Sequence, residues 1–264
     1  MGVLNVTPDS FSDGGLFVDS DSAIAHGLRL AHAGADIVDV GGESTRPGSL
    51  PVEPDEQLRR ILGVIEQLAR RCDAAISVDT RWAKVAQAAL DAGAHIVNDI
   101  SALRDDPKMA STVARRSAGV VLMHMRGTPA DMQDEPRYDD VVGEVGDFLA
   151  DRVRFAIGEG IERDRIVIDP GIGFGKTTGH NLQLLGGLDR LAERALNMPM
   201  LVGPSRKRFL GELLNVPANE RLAGTIGACV VAAAGGACIF RVHDPSQVRQ
   251  ALQVVWAIRR NRAP

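Results

Sequence analysis

Polar residues interrupt or close short apolar runs all along the chain, and their types define two kinds of chemistry. Asp79, Asn98 and Asp169 close three of these runs. A carboxylate accepts two parallel hydrogen bonds, so acids gathered in one cleft suit a planar N–H donor edge. Lys207, Arg241 and His243 follow two later runs, and Asn5 and Arg46 belong to the first two. Cations grouped on an otherwise acidic protein suit a small polyanion such as a phosphate ester. His124 closes one further run, and its role stays open between structural and functional.

One Asp after an apolar run is more often a helix cap than a reactive group. Here the ends of the runs supply Asn, Lys, Arg and His as well, which capping does not require. Two other patterns are set aside. Gly173-Phe174-Gly175-Lys176-Thr177 resembles the end of a phosphate-cradling loop, but Pro170 occupies the position where that motif needs its first glycine. His26, His32, His95 and His180 lack partners at metal-ligand spacing. Cys72, Cys229 and Cys238 form no complete pairing and fit a reducing compartment.

The elements that must position these residues follow from the alternation of short apolar runs with longer Ala- and Leu-rich segments. Strands are expected at Gly2–Val6, Ile37–Gly41, Ala75–Asp79, His95–Asp99, Val120–His124, Arg165–Asp169, Met200–Gly203 and Cys238–Val242. Helix starts are marked by Asp19-Ser20-Asp21-Ser22, Glu53-Pro54-Asp55-Glu56 and Asp139-Asp140. Strands that read as continuous apolar runs between helices predict a parallel sheet covered on both faces. Eight such units in 264 residues predict a (β/α)8 TIM barrel, one domain over 1–264, with an open doubly wound sheet as the alternative. In a barrel the carboxyl ends of the strands share one rim, which is where the polar residues lie.

With 45% hydrophobic and 24% charged residues the chain is neither disordered nor collagenous. Its net charge of −4 excludes a globally basic nucleic-acid binder. The uncharged stretch between Arg221 and Arg241 is expected to be a buried helix, a Gly235-Gly236 turn and a strand rather than a membrane span. The first residues show no signal-peptide pattern, so a cytoplasmic protein is expected.

Eight motifs, one per expected strand, together resemble the dihydropteroate synthase family. They are Asn5-Val6-Thr7-Pro8-Asp9-Ser10-Phe11-Ser12-Asp13-Gly14-Gly15, Gly42-Glu43-Ser44-Thr45-Arg46-Pro47-Gly48, Ser77-Val78-Asp79-Thr80, Asn98-Asp99, Leu122-Met123-His124, Asp169-Pro170-Gly171-Ile172-Gly173-Phe174-Gly175-Lys176, Ser205-Arg206-Lys207 and Arg241-Val242-His243-Asp244. The resemblance covers the chain end to end. It implies displacement of diphosphate from 6-hydroxymethyl-7,8-dihydropterin diphosphate by 4-aminobenzoate, through departure of diphosphate first. It implies that Asp169, Asn98 and Asp79 hold the pterin, with Lys207 on its carbonyl and Ile100, Met123 and Arg241 against its faces. Asn5, Arg46, Arg241 and His243 would bind diphosphate, with Asn5 helping to hold Mg2+. Thr45, Arg46, Pro47 and Phe174 would shape the aminobenzoate site. Ser205 and Arg208, the latter where some relatives carry Ser, flank Lys207 on that side. Asp79 and Lys207 would be the catalytic pair. The partners implied are these small molecules and a second copy of the chain, packed through helices on the outside of the barrel. Gly173-Phe174-Gly175 lacks the insertion of some drug-insensitive relatives, which implies a sulfonamide target. A pterin-dependent methyltransferase and a non-catalytic pterin-binding paralogue are the alternatives; the first would not need Arg241-Val242-His243 or the intact first motif, and the second should have lost Lys207, Asp79 or that motif.

Overall fold

The computed structural model describes residues 1–7, 20–44, 49, 51–128 and 131–261. Its strands are β1 (Gly2–Asn5), β2 (Ile37–Gly41), β3 (Ala75–Asp79), β4 (Ile96–Asp99), β5 (Gly119–Met123), β6 (Ile166–Asp169), β7 (Leu201–Val202) and β8 (Ile239–Phe240). Between and after them lie α1 (Ser20–His32), α2 (Pro54–Arg71), α3 (Ala83–Asp91), α4 (Met109–Arg116) and α5 (Val141–Gly158). The remaining helices are α6 (Thr178–Gly186), α7 (Leu188–Arg194), α8 (Arg208–Leu214), α9 (Leu222–Ala234) and α10 (Pro245–Arg260).

β1 to β6 pair in chain order, and β7 pairs with β8, all in parallel. Parallel bridges Ile168↔Met200 and Gly2↔Val242 join the two groups at both edges. At the second joint the Val3 N–H donates to the Val242 carbonyl at 3.0 Å, and the Val242 N–H to that of Met1 at 2.9 Å. The sheet is therefore a closed (β/α)8 barrel, and the open doubly wound alternative is excluded. β7 and β8 are shorter than the sequence suggested. Pro199 and Pro204 bracket β7, and neither has an N–H to give to a ladder.

The strands separate two apolar layers. Leu4, Val38, Val40, Ile76, Val78, Val97, Leu122 and Ile168 face outward and are fully buried beneath the helices. Met1, Val121 and Leu201 form a separate plug inside the barrel, packed by Ile37, Ile96, Val167 and Ile239. Above this plug the inward positions turn polar: Asp39, Ser77, Asp79, Asn98 and Asp169, all buried. The strands looked continuously apolar because one face meets helices and the other begins at the plug.

Helix starts are mostly as expected. Pro54 opens α2 with Asp55 and Glu56 in its first turn, although Glu53 makes no side-chain cap. Asp140 caps α5 by accepting from the Gly143 N–H at 3.1 Å. Asp19 lies outside the described residues. No helix among the described residues is long and apolar enough to cross a membrane. The uncharged stretch forms α9, a turn with Gly236 at φ +99°, and β8. α9 is buried on one side only: Cys229, Ala232 and Ala233 face the barrel, whereas Gly227, Val231 and Ala234 are exposed. This corrects the expectation of a fully buried helix.

Candidate active site

The strand register builds the site. Asn5 pairs with Gly41, Gly41 with Asp79, and Asp79 with Asn98, so four strand ends form one row on the inner rim. Asp169 ends β6 opposite Met123. Arg241 and His243 follow β8, and Lys207 is the residue before α8.

Below that row sits Asp39, which sequence reasoning missed. It is 0% exposed. Its Oδ2 accepts from Asn98 Nδ2 at 3.1 Å and from Arg241 Nε at 2.7 Å, while its Oδ1 has no partner among the described residues. Arg241 also donates to Asp79 Oδ2 at 2.8 Å. An acid between two outward valines, Val38 and Val40, was the available signal. The two bonds orient the site. With one Nδ2 proton given to Asp39, the Asn98 amide is oriented and keeps its oxygen as an acceptor on the inner rim.

This arrangement corrects the charge map drawn from the sequence. Arg241 comes from the cationic side but lies among the acids, bonded to two of them. Burial pushes the Asp79 carboxyl up to about 7, against the pull of Arg241 and with the help of Asp39. Burial likewise raises Asp169 to about 6, opposed by the Gly171 N–H, which donates to Asp169 Oδ1 at 2.7 Å, and by Lys207, Lys176 and Arg241. Asp99, beside Asn98, is structural. It accepts from Ser101 N, Ser101 Oγ and Leu103 N, and so anchors the turn in which Ala102 and Leu103 have positive φ.

Lys207 stands across from Asp169. Its Nζ lies 3.9 Å from the centroid of the Phe174 ring. Burial lowers it to about 8, with Arg241 adding to the shift and Asp169 and Asp79 opposing it. The loop that carries it is fixed from α9. Arg221 Nη1 donates to the carbonyls of Arg206 and Lys207 at 3.0 and 3.3 Å, and Thr225 Oγ1 accepts from the Arg206 N–H at 3.1 Å. Ile100, Met123, Met125, Met132 and Phe174 form a small apolar cluster apart from the main core. It gives a flat ring an apolar surface next to the acids.

A cavity of about 970 Å³ opens at this end of the barrel, lined among others by Asn5, Phe174, Ser205, Lys207, Arg241 and His243. Ser205 Oγ lies 3.0 Å from His243 Nδ1 and accepts from the His243 N–H at 3.3 Å. Burial keeps that imidazole neutral, its pKa down to about 4, so Nδ1 accepts from the hydroxyl in the tautomer that carries its proton on Nε2. Ser205 and His243 thus bond to each other in the wall of this cavity. Arg208 is exposed and pairs with Glu212 at 2.5 Å within α8. Thr45, Arg46, Pro47 and the 8–15 part of the first motif lie outside the described residues. Among the described residues no three His, Cys, Asp or Glu side chains cluster as a metal site. His124 Nδ1 and Lys176 Nζ lie 3.0 Å apart in the loops that follow β5 and β6, and Lys176 is buried.

Comparison with known proteins agrees with this geometry. A family model described as pterin binding enzyme matches residues 1–243. The dihydropteroate synthase of Escherichia coli K12 is 46% identical over 258 residues, covering 97% of this chain and 90% of that protein. Among solved structures, the Xanthomonas albilineans dihydropteroate synthase with 4-aminobenzoic acid superposes with a TM-score of 0.92 at 48% identity, covering 100% of this chain and 93% of that one. The Yersinia pestis dihydropteroate synthase in a sulfonamide drug complex superposes with a TM-score of 0.92 at 44% identity, covering 98% and 93%.

Proposed function

The chain belongs to the pterin-binding enzyme family, and from that premise we infer that it catalyses the dihydropteroate synthase reaction of folate biosynthesis. 4-Aminobenzoate displaces diphosphate from 6-hydroxymethyl-7,8-dihydropterin diphosphate. The observation that carries this reading is three buried acceptors on the inner rim, Asp79, Asn98 and Asp169, beside Arg241 and Lys207, which with His243 line the cavity in the barrel mouth.

Asp169 and the oxygen of Asn98 receive the donor edge of the pterin, and Asp79 holds its far side. Met123 and Ile100 supply an apolar face, and Lys207 donates to the ring carbonyl. Arg241 and His243 bind the diphosphate, with Ser205 holding the His243 ring. The C–O bond to diphosphate breaks first, and its electron pair leaves on the diphosphate oxygen. The positive charge left on the exocyclic methylene spreads into the electron-rich dihydropterin. That charge favours the ionised form of Asp79, and a carboxylate fixed beside it stabilises the transition state. The aminobenzoate nitrogen then forms the C–N bond and gives up its proton. So electrophilic a carbon needs no strong general base, and the proton passes to solvent.

Asn5 fits a magnesium ion that arrives on the diphosphate. One amide oxygen cannot hold the ion alone, whereas Mg2+ sites often combine one or two protein oxygens with substrate phosphates and waters. When bound, the ion offsets charge on the leaving group. Thr45, Arg46, Pro47, Phe174 and Arg208 are assigned to the aminobenzoate side, where a sulfonamide competes for the same space. The working form is a homodimer joined through α9 and α10, supported by exposed Val231, Val254 and Ile258. Its three free cysteines fit a cytoplasmic setting.

The deciding experiment measures diphosphate release with the pterin diphosphate, Mg2+ and 4-aminobenzoate, each omitted in turn. Release that requires both organic substrates supports the synthase. Methyl transfer without diphosphate release, or pterin binding without turnover, overturns it.

A further inference from the structure

The turn after β6 carries a set of buried contacts that the reaction itself does not use. Gly171, Gly173 and Gly175 all have positive φ, at +67°, +84° and +61°. A Cβ on Gly171 would lie 1.9 Å from the His124 carbonyl, and one on Gly175 would lie 2.4 Å from that of Arg126. The turn is therefore pressed flat against the segment that follows β5. Side chains take up its carbonyls. Lys176 Nζ donates to Gly171 O at 3.0 Å and to Phe174 O at 2.9 Å. Gln133 Nε2 donates to Gly173 O at 2.9 Å, and Tyr138 OH to Gly175 O at 2.9 Å.

Lys176 is 3% exposed and no carboxylate bonds to it. Its third good acceptor is His124 Nδ1 at 3.0 Å. Burial, with Lys176 adding to it, lowers His124 to about 2, so the imidazole is neutral and its Nδ1 can accept. Three ammonium protons thus meet three acceptors, two of them carbonyls of the turn. His124, whose part was open from sequence, anchors this lysine.

We propose that Lys176, Gln133 and Tyr138 are positioning residues for the aminobenzoate side of the site, holding the Gly171–Gly175 turn in the one shape that sets Phe174 beneath the Lys207 ammonium. The proposal rests on the synthase reading given above. Without these donors a turn with three glycines has many accessible shapes, and the Phe174 wall is no longer pre-formed when aminobenzoate arrives. Gln133 and Lys176 also line the cavity, so Tyr138, which does not line it, is the cleanest probe.

The test compares Tyr138→Phe, Gln133→Ala and Lys176→Met with wild type by steady-state kinetics for both substrates, alongside thermal melting. Tyr138→Phe and Gln133→Ala are expected to raise the KM for 4-aminobenzoate about five-fold while leaving kcat and the pterin diphosphate KM within about two-fold. Lys176→Met, which loses more bonds, should exceed about ten-fold. A merely structural role would lower the melting temperature and the amount of active enzyme with KM unchanged, and that result overturns the proposal. If Lys176→Met does not fold, Tyr138→Phe and Gln133→Ala decide the matter. No turnover in wild type overturns the functional reading, and this proposal with it; wild-type turnover with unchanged KM in the variants overturns this proposal alone.

Discussion

Asp39 and Arg241, 202 residues apart in the chain, meet at 2.7 Å beneath the barrel mouth. The same carboxylate oxygen accepts from Asn98. One buried acid therefore holds both the guanidinium that follows the last strand and the amide proposed to receive the pterin. Replacing Asp39 with Asn puts a possible donor where two donors already point. It should cost about 3 kcal/mol of stability, because Arg241 is left partly unpaired in a buried site. Chemical denaturation measures that loss. Calorimetry on the folded variant should also show weaker pterin binding, and an unchanged affinity would remove Asp39 from the site.

Lys207→Ala should leave the fold intact, since the side chain projects from the residue before α8 and its loop is held by Arg221 and Thr225. Turnover should fall on the order of a hundred-fold, the scale of losing one preorganised charged donor. Circular dichroism checks the fold and product formation checks the rate. Wild-type turnover in this variant excludes the residue from the mechanism.

Pterin affinity should depend on pH through Asp169. Its folded-state carboxyl titrates at about 6, raised first by burial. Below that pH the group is protonated and accepts the donor edge poorly; above it the carboxylate accepts fully. Affinity should therefore rise with pH through about 6 and then level off. In Asp169→Asn binding should be weaker throughout and should lose that rise. Calorimetric titration across this range tests both, and a variant that keeps the wild-type pH profile contradicts the assignment.

Val231→Glu places a charge on the exposed face of α9, far from the barrel mouth. It should shift the assembly from dimer to monomer. Sedimentation velocity reads this directly, and a wild-type chain that is monomeric at micromolar concentration would contradict the proposed homodimer.

Local pattern was enough for much of this protein. Apolar runs alternating with helical segments specify a parallel barrel, because strands buried on both sides must be apolar and each needs a helix to cover it. The rim residues were legible for the same reason: a strand's register places its last inward residue at one end of a closed sheet. Asp79, Asn98 and Asp169 were found that way, and Lys207 and Arg241 by following β7 and β8 into the loops beyond them. Asp39 was not, because an acid in mid-strand shows its role only once inward and outward faces are distinguished. The bond between Ser205 and His243 was not legible, because only folding brings together residues 38 apart. The pairing of Lys176 with His124 was hidden too, since 52 residues separate them. One-dimensional spacing states which groups reach the rim. Which of them bond to one another, and so which are free for substrate, is decided by side chains that converge from different strands.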